Sequence, residues 1–63
     1  EGVLLEMILT MPGKYKEVLY LYYYEGYSVR ELASILNQKE STLQTRLATG
    51  RKMLKKIYEE GNR

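Results

Sequence analysis

Ser28-Val29-Arg30-Glu31-Leu32-Ala33-Ser34-Ile35-Leu36-Asn37-Gln38-Lys39-Glu40-Ser41-Thr42-Leu43 carries a helix start, a helix stop and the beginning of a second helix. Ser28 and Glu31 have the Ser-x-x-Glu spacing of a capping box. The serine oxygen accepts from the backbone N–H three residues on, and the glutamate reaches back to the N–H of the cap. Val29, Leu32, Ala33, Ile35 and Leu36 then supply the apolar side of a helix over 28–36. Asn37 suits the left-handed turn that ends a helix. Asn37-Gln38-Lys39 leaves only a short connection before the next helix, which is the spacing of a helix-turn-helix.

Toward the C-terminus, Leu43, Leu47, Gly50, Leu54 and Ile57 recur at helical spacing and predict a long helix over 40–59. Its other faces carry Ser41, Thr42, Gln44, Thr45, Ala48, Thr49 and Lys52. Gly50 on the packed side suits close approach of another helix rather than a phosphate loop. Lys52, Lys55 and Lys56 complement the dipole of the last turns, and Lys55, Lys56 and Arg63 read as solvated helix-end charges. Gly61-Asn62-Arg63 reads as frayed.

Toward the N-terminus, Tyr27 and Gly26 precede the capping box, and Gly26 stops a helix over 13–25. The aromatic run Tyr20-Leu21-Tyr22-Tyr23-Tyr24 has strand propensity. It does not alternate, however, and its flanks read as helix, so the strand reading fails. Met11-Pro12-Gly13 breaks the chain again, because proline and the residue before it resist helix continuation. A first helix over 1–10 therefore ends near Thr10, with Val3, Leu4, Leu5, Ile8 and Leu9 as its apolar stripe. The expectation is an all-α fold: a small bundle of three to four helices ending in a helix-turn-helix, winged-helix-like but without a wing, in a single domain over 1–63.

Sixty-three residues fit one small domain of marginal stability. There are no cysteines, histidines or aspartates. That removes disulfides, the usual zinc ligands and the His-based triads, so neither metal, cofactor nor catalysis is expected. No stretch has the length of a membrane span, and no signal-peptide pattern opens the chain. A cysteine-free composition fits a cytoplasmic setting. The chain begins at Glu1 rather than Met, as an excised domain or a chain without its first residues would.

The charge is unevenly spread. Residues 1–36 carry five Glu against three Lys/Arg, a net −2, while 37–63 carry seven Lys/Arg against three Glu, a net +4. A basic C-terminal part suits a polyanionic partner, and a solvated helix face would look the same. The helix-turn-helix supports the first, although many three-helix bundles share its spacing. It places the start of its second helix in the DNA major groove, where small and amide side chains read base edges and basic ones hold phosphates. Ser41, Thr42, Gln44, Thr45, Ala48 and Thr49 meet the first need. Lys39, Arg46, Arg51, Lys52, Lys55 and Lys56 meet the second. Arg46 has a second choice, an ion pair with Glu31 across the turn.

Four blocks carry a family resemblance. Met11-Pro12-Gly13-Lys14-Tyr15-Lys16-Glu17-Val18-Leu19 resembles "LPxKYREVL", and Tyr23-Tyr24-Glu25-Gly26-Tyr27-Ser28-Val29-Arg30-Glu31-Leu32-Ala33 resembles "YYEGLSYEEIA". Glu40-Ser41-Thr42-Leu43-Gln44-Thr45-Arg46-Leu47 resembles "ESTVKSRL", and Gly50-Arg51-Lys52-Met53-Leu54 resembles "ARKKL". In this order and spacing the chain resembles region 4 of sigma-70 family factors, nearest the extracytoplasmic-function group. The resemblance implies binding to double-stranded promoter DNA at the minus-35 element, docking on the beta flap of the RNA polymerase core, an anti-sigma factor as a further partner, and a monomer. It puts base reading on Gln44, Thr45, Ala48 and Thr49, with Ser41 and Thr42 nearby. Phosphate contacts fall on Arg46, Arg51 and Lys52, with Arg30 and Lys39 beside them.

Three positions depart from the family pattern. Thr49 stands where Arg is frequent, which implies a different promoter preference, since a bidentate guanine contact is worth about 1–3 kcal/mol. Lys39 stands where a Ser or Thr caps the recognition helix, leaving that role to Glu40 or Ser41 or the first turn loose. Gln38 stands where a buried aliphatic residue is common, and must be exposed or hydrogen-bonded. The seven tyrosines read as core packing with hydroxyls at the surface, and the rival reading is a docking surface. Two other functions fit the same residues. One is a LuxR-type helix-turn-helix regulator, which shares the "EGxSxxELA" turn. The other is a sigma-like interaction module without specific DNA binding.

Overall fold

The computed structural model describes residues 2–61. Four helices follow one another: α1 (Gly2–Leu9), α2 (Gly13–Tyr23), α3 (Val29–Leu36) and α4 (Glu40–Gly61). No strand occurs among the described residues. The expected fraying at 61–63 fails for Gly61, which closes α4; Asn62 and Arg63 lie outside the described residues. α2 ends two residues earlier than the spacing predicts, at Tyr23. Gly26 then adopts φ 78°, and the Tyr27 N–H reaches back to the Leu21 carbonyl (3.2 Å).

The α3 boundaries follow from local chemistry. The Glu31 N–H donates to Ser28 Oγ (3.1 Å), and the Ser28 N–H donates to Glu31 Oε1 (2.9 Å), so both bonds of the capping box form. Asn37 takes φ 54°, ψ 49°, and the Gln38 N–H donates to the Ala33 carbonyl (3.0 Å). That bond is the 6→1 closure of a Schellman turn. It closes the end of α3 and leaves three residues, 37–39, before α4.

α4 has 22 residues and is about 33 Å long. It packs against each of the other three helices. The core is Ile8, Met11, Val18, Leu19, Leu32, Leu43, Leu47 and Leu54, with no buried polar side chain among the described residues. Burying these side chains holds the bundle together, at about 1.5–3 kcal/mol for each large one.

Met11 is buried although it sits in a turn. The Met11 N–H bonds the Ile8 carbonyl (3.1 Å), which curls the end of α1 under the core and carries the side chain with it. The expected apolar side of α3 needs one correction. Leu32 is buried and Val29, Ala33 and Leu36 pack on the core, but Ile35 is 52% exposed. At about 100° per residue, Ile35 lies well off the face shared by 29, 32, 33 and 36. The α1 stripe is corrected similarly: Ile8 is buried, while Val3, Leu4 and Leu9 remain exposed.

At Gly50 the backbone of α4 lies against the Leu19 side chain of α2. A Cβ there would lie 2.8 Å from Leu19 Cδ1 and 3.3 Å from Leu19 Cγ, and Leu19 is itself fully buried. Gly50→Val is therefore expected to destabilise the chain by about 1–3 kcal/mol through overpacking, more than the few tenths that valine gains over glycine in helix propensity. A lower urea midpoint at unchanged slope checks this. An unchanged midpoint would mean that Leu19 yields freely.

Candidate nucleic-acid interface

α4 has one continuous exposed side. Ser41, Gln44, Thr45, Ala48, Arg51, Lys52 and Lys55 are all exposed, at spacings of three and four. Leu43, Leu47, Gly50 and Leu54 occupy the buried side. Thr42, Arg46 and Thr49 are half-buried and lie between the two. Four of the six base-reading candidates, Ser41, Gln44, Thr45 and Ala48, therefore share the outermost stripe. Thr42 and Thr49 sit at its margin. Lys55, read above as a solvated helix-end charge, falls on the same stripe as the reading residues.

Local bonds constrain this face. The Thr45 hydroxyl donates to the Ser41 carbonyl (3.0 Å). Its proton is thereby used, and the group offers outward a methyl and acceptor lone pairs. Ala48 adds a second methyl one turn on. Gln44, one turn before Ala48, brings both a donor and an acceptor.

The basic residues divide by setting. Arg30, Lys39, Arg51 and Lys52 are exposed, whereas Arg46 is half-buried. The Glu31 carboxylate, the alternative partner considered for Arg46, is engaged in the capping box. Arg51 does not float freely. Its Nε donates to Tyr23 Oη (2.8 Å), and its guanidinium carbon stands 5.7 Å from the Tyr22 ring centroid and 5.8 Å from that of Tyr23. The Tyr23 hydrogen bond, opposed by desolvation, raises the Arg51 pKa above its ordinary value.

The start of α4 is unusual. The Leu43 N–H donates to the Lys39 carbonyl (3.2 Å), so Lys39 holds the N-cap position. A lysine side chain has donors only and cannot cap. Among the described residues no side chain accepts from the N–H groups of Glu40, Ser41 or Thr42, so neither Glu40 nor Ser41 takes over the role. Gln38 is exposed, which meets its solvation need. Lys39→Ser is expected to stabilise the fold by about 1 kcal/mol by supplying the missing acceptor. Thermal unfolding checks it: a gain of about 4–8 °C is expected, and no gain would mean the first turn is already satisfied.

The tyrosines split. Tyr15, Tyr20 and Tyr22 pack against the core, but Tyr23, Tyr24, Tyr27 and Tyr58 are exposed. Core packing thus accounts for three of the seven. A second surface lies on α1 and α2, where Leu9, Lys16, Glu17, Tyr20 and Leu21 line a mainly apolar depression of about 360 Å³. No described helix is long and apolar enough to cross a membrane.

Four helices with a short α3–α4 turn and a polar, basic outer side on the last helix define a helix-turn-helix module. Residues 1–54 match the family "Sigma-70, region 4", and the chain belongs to that family. It is a DNA-binding sigma-factor domain, which separates it from the LuxR-type reading. It is also similar to the ECF RNA polymerase sigma factor SigW of Bacillus subtilis (strain 168), with 39% identity over 51 residues, 81% of this chain. The match covers 27% of that relative's length. No solved structure matches the chain.

Proposed function

We propose that this chain recognises the upstream, minus-35 element of promoter DNA and docks on the beta flap of RNA polymerase during transcription initiation. The observation that carries the reading is the exposed stripe of α4, with Ser41, Gln44, Thr45 and Ala48 followed by Arg51 and Lys52. Seated in the major groove, Gln44 suits adenine, whose N6 and N7 match an amide's acceptor and donor. The methyls of Thr45 and Ala48 suit thymine, and the free lone pairs of Thr45 suit an exocyclic amine. Arg51 and Lys52 hold phosphates beyond the reading residues. Lys39 and the uncapped N–H groups of the first turn face the same anionic backbone, where a helix N-terminus is favourable.

Thr49 has no guanidinium to offer a guanine, so the promoter preference departs from that of relatives with Arg there. The depression between Leu9, Tyr20 and Leu21 supports polymerase docking, since it is apolar and lies on α1 and α2, away from the reading residues of α4. An anti-sigma factor would compete for this apolar surface or for α4 itself. Affinity of the chain alone is modest and falls with salt, because other regions and polymerase normally supply avidity. Selection from a random-sequence duplex library tests the reading. Enrichment of one motif, lost in Gln44→Ala, is expected. Binding without enrichment would leave a non-specific DNA contact, and the promoter reading would fall.

A further inference from the structure

We propose that Tyr22 and Tyr23 of α2 are positioning residues that hold the Arg51 guanidinium ready to clamp a DNA backbone phosphate at the edge of the reading face. The proposal rests on the DNA-binding reading above and assigns α2 a part in it.

The geometry is specific. Tyr22 and Tyr23 meet edge to face, with ring centroids 5.1 Å apart and planes at 87°. The Arg51 guanidinium lies within 6 Å of both rings, the range of a cation–π contact. Its Nε is spent on Tyr23 Oη at 2.8 Å. The four N–H bonds on the two terminal nitrogens are left, and they are the ones that grip a phosphate in a forked contact. Beside them is a depression of about 340 Å³ lined by Tyr22, Val29, Gln44, Leu47, Ala48 and Arg51. A phosphate and its sugar entering there would meet Arg51 at one rim and reading residues Gln44 and Ala48 at the other. The base contact and the phosphate contact would then be set in fixed register.

An arginine on an exposed helix face normally samples many rotamers and loses that freedom on binding. Here the ordering has occurred on folding. Removing the restraint should therefore weaken binding by about 2- to 10-fold, the equivalent of one immobilised side chain. The fixed charge is also desolvated little, since Arg51 remains exposed and charged.

The test is a double-mutant cycle on the 63-residue chain with a mixed-sequence duplex of about 20 base pairs, measured over a salt series from about 50 to 200 mM. Arg51→Ala is expected to reduce the slope of log K against log salt by about 0.9, one phosphate contact. Tyr23→Phe keeps the ring and removes only the hydroxyl. It is expected to weaken binding about 2- to 10-fold in the native background and not at all in the Arg51→Ala background. Tyr22→Leu should behave alike. Tyr58→Phe, an exposed tyrosine that makes no contact with Arg51, should change nothing. The Arg51 Nε–H resonance should move and exchange faster in Tyr23→Phe, while the melting temperature stays put.

Equal losses from Tyr23→Phe in both backgrounds would overturn the positioning role, although DNA binding itself stands. An unchanged salt slope in Arg51→Ala would overturn the clamp. Absence of any duplex binding at the lowest salt would remove the DNA reading and this proposal with it.

Discussion

Leu19→Ala lowers the thermal midpoint of the chain by at least about 10 °C, or leaves it unfolded at room temperature. Leu19 is fully buried on α2, and its Cδ1 is the atom that lies against the bare backbone of Gly50 on α4. Truncation removes the side chain's transfer free energy and opens a cavity between α2 and α4. Together these cost about 2–5 kcal/mol. A chain of this length has only about 3–9 kcal/mol to lose. Ile35→Ala is the comparison: 52% exposed, it should cost much less despite removing as large an aliphatic group. Circular-dichroism melting of both variants is the check. Equal losses would mean that α2 does not pack where the structure puts it.

Arg51→Glu with Lys52→Glu weakens duplex binding by at least about 100-fold at about 50 mM salt, while loss of the Arg51–Tyr23 contacts costs the fold no more than about 1–2 kcal/mol. Both side chains are exposed on the same side of α4 as Gln44 and Ala48. Each phosphate contact releases counterions and is worth about tenfold in affinity at such salt. Reversing the charges removes two contacts and adds repulsion. Fluorescence anisotropy with a labelled duplex reads the loss. A loss below tenfold would place the DNA backbone elsewhere on the molecule.

What the sequence made legible was local. Ser28 and Glu31 are three residues apart, and the bonds between them need no tertiary support, so the start of α3 could be named from the chain alone. Asn37 ends α3 for the same reason. The buried side of α4 followed from spacing, because one long helix against a small core has only one way to turn.

The rest depended on where helices meet. Met11 reads as turn punctuation beside Pro12, and only the curl at the end of α1 buries it. Ile35 belongs by composition to the core and by angle to the surface. The tyrosine run has no periodicity that would divide it, so its split between core and surface had to come from the path of α2. The Arg51–Tyr23 bond joins residues 28 apart. The sequence offered Arg51 as a phosphate contact and Tyr23 as an aromatic on α2, with nothing to connect them. The uncapped start of α4 was half legible: Lys39 was visibly the wrong residue, but that nothing replaced it was not.

The outer side of α4 is the proposed DNA face. Titration of the isotope-labelled chain with a short mixed-sequence duplex, followed by NMR at low and moderate salt, tests it most directly. Shifts are expected on Ser41, Gln44, Thr45, Ala48, Arg51 and Lys52, weakening steeply as salt rises. Shifts absent at low salt, or confined to Leu9, Tyr20 and Leu21 on α1 and α2, would contradict it and mark the chain as a protein-docking module.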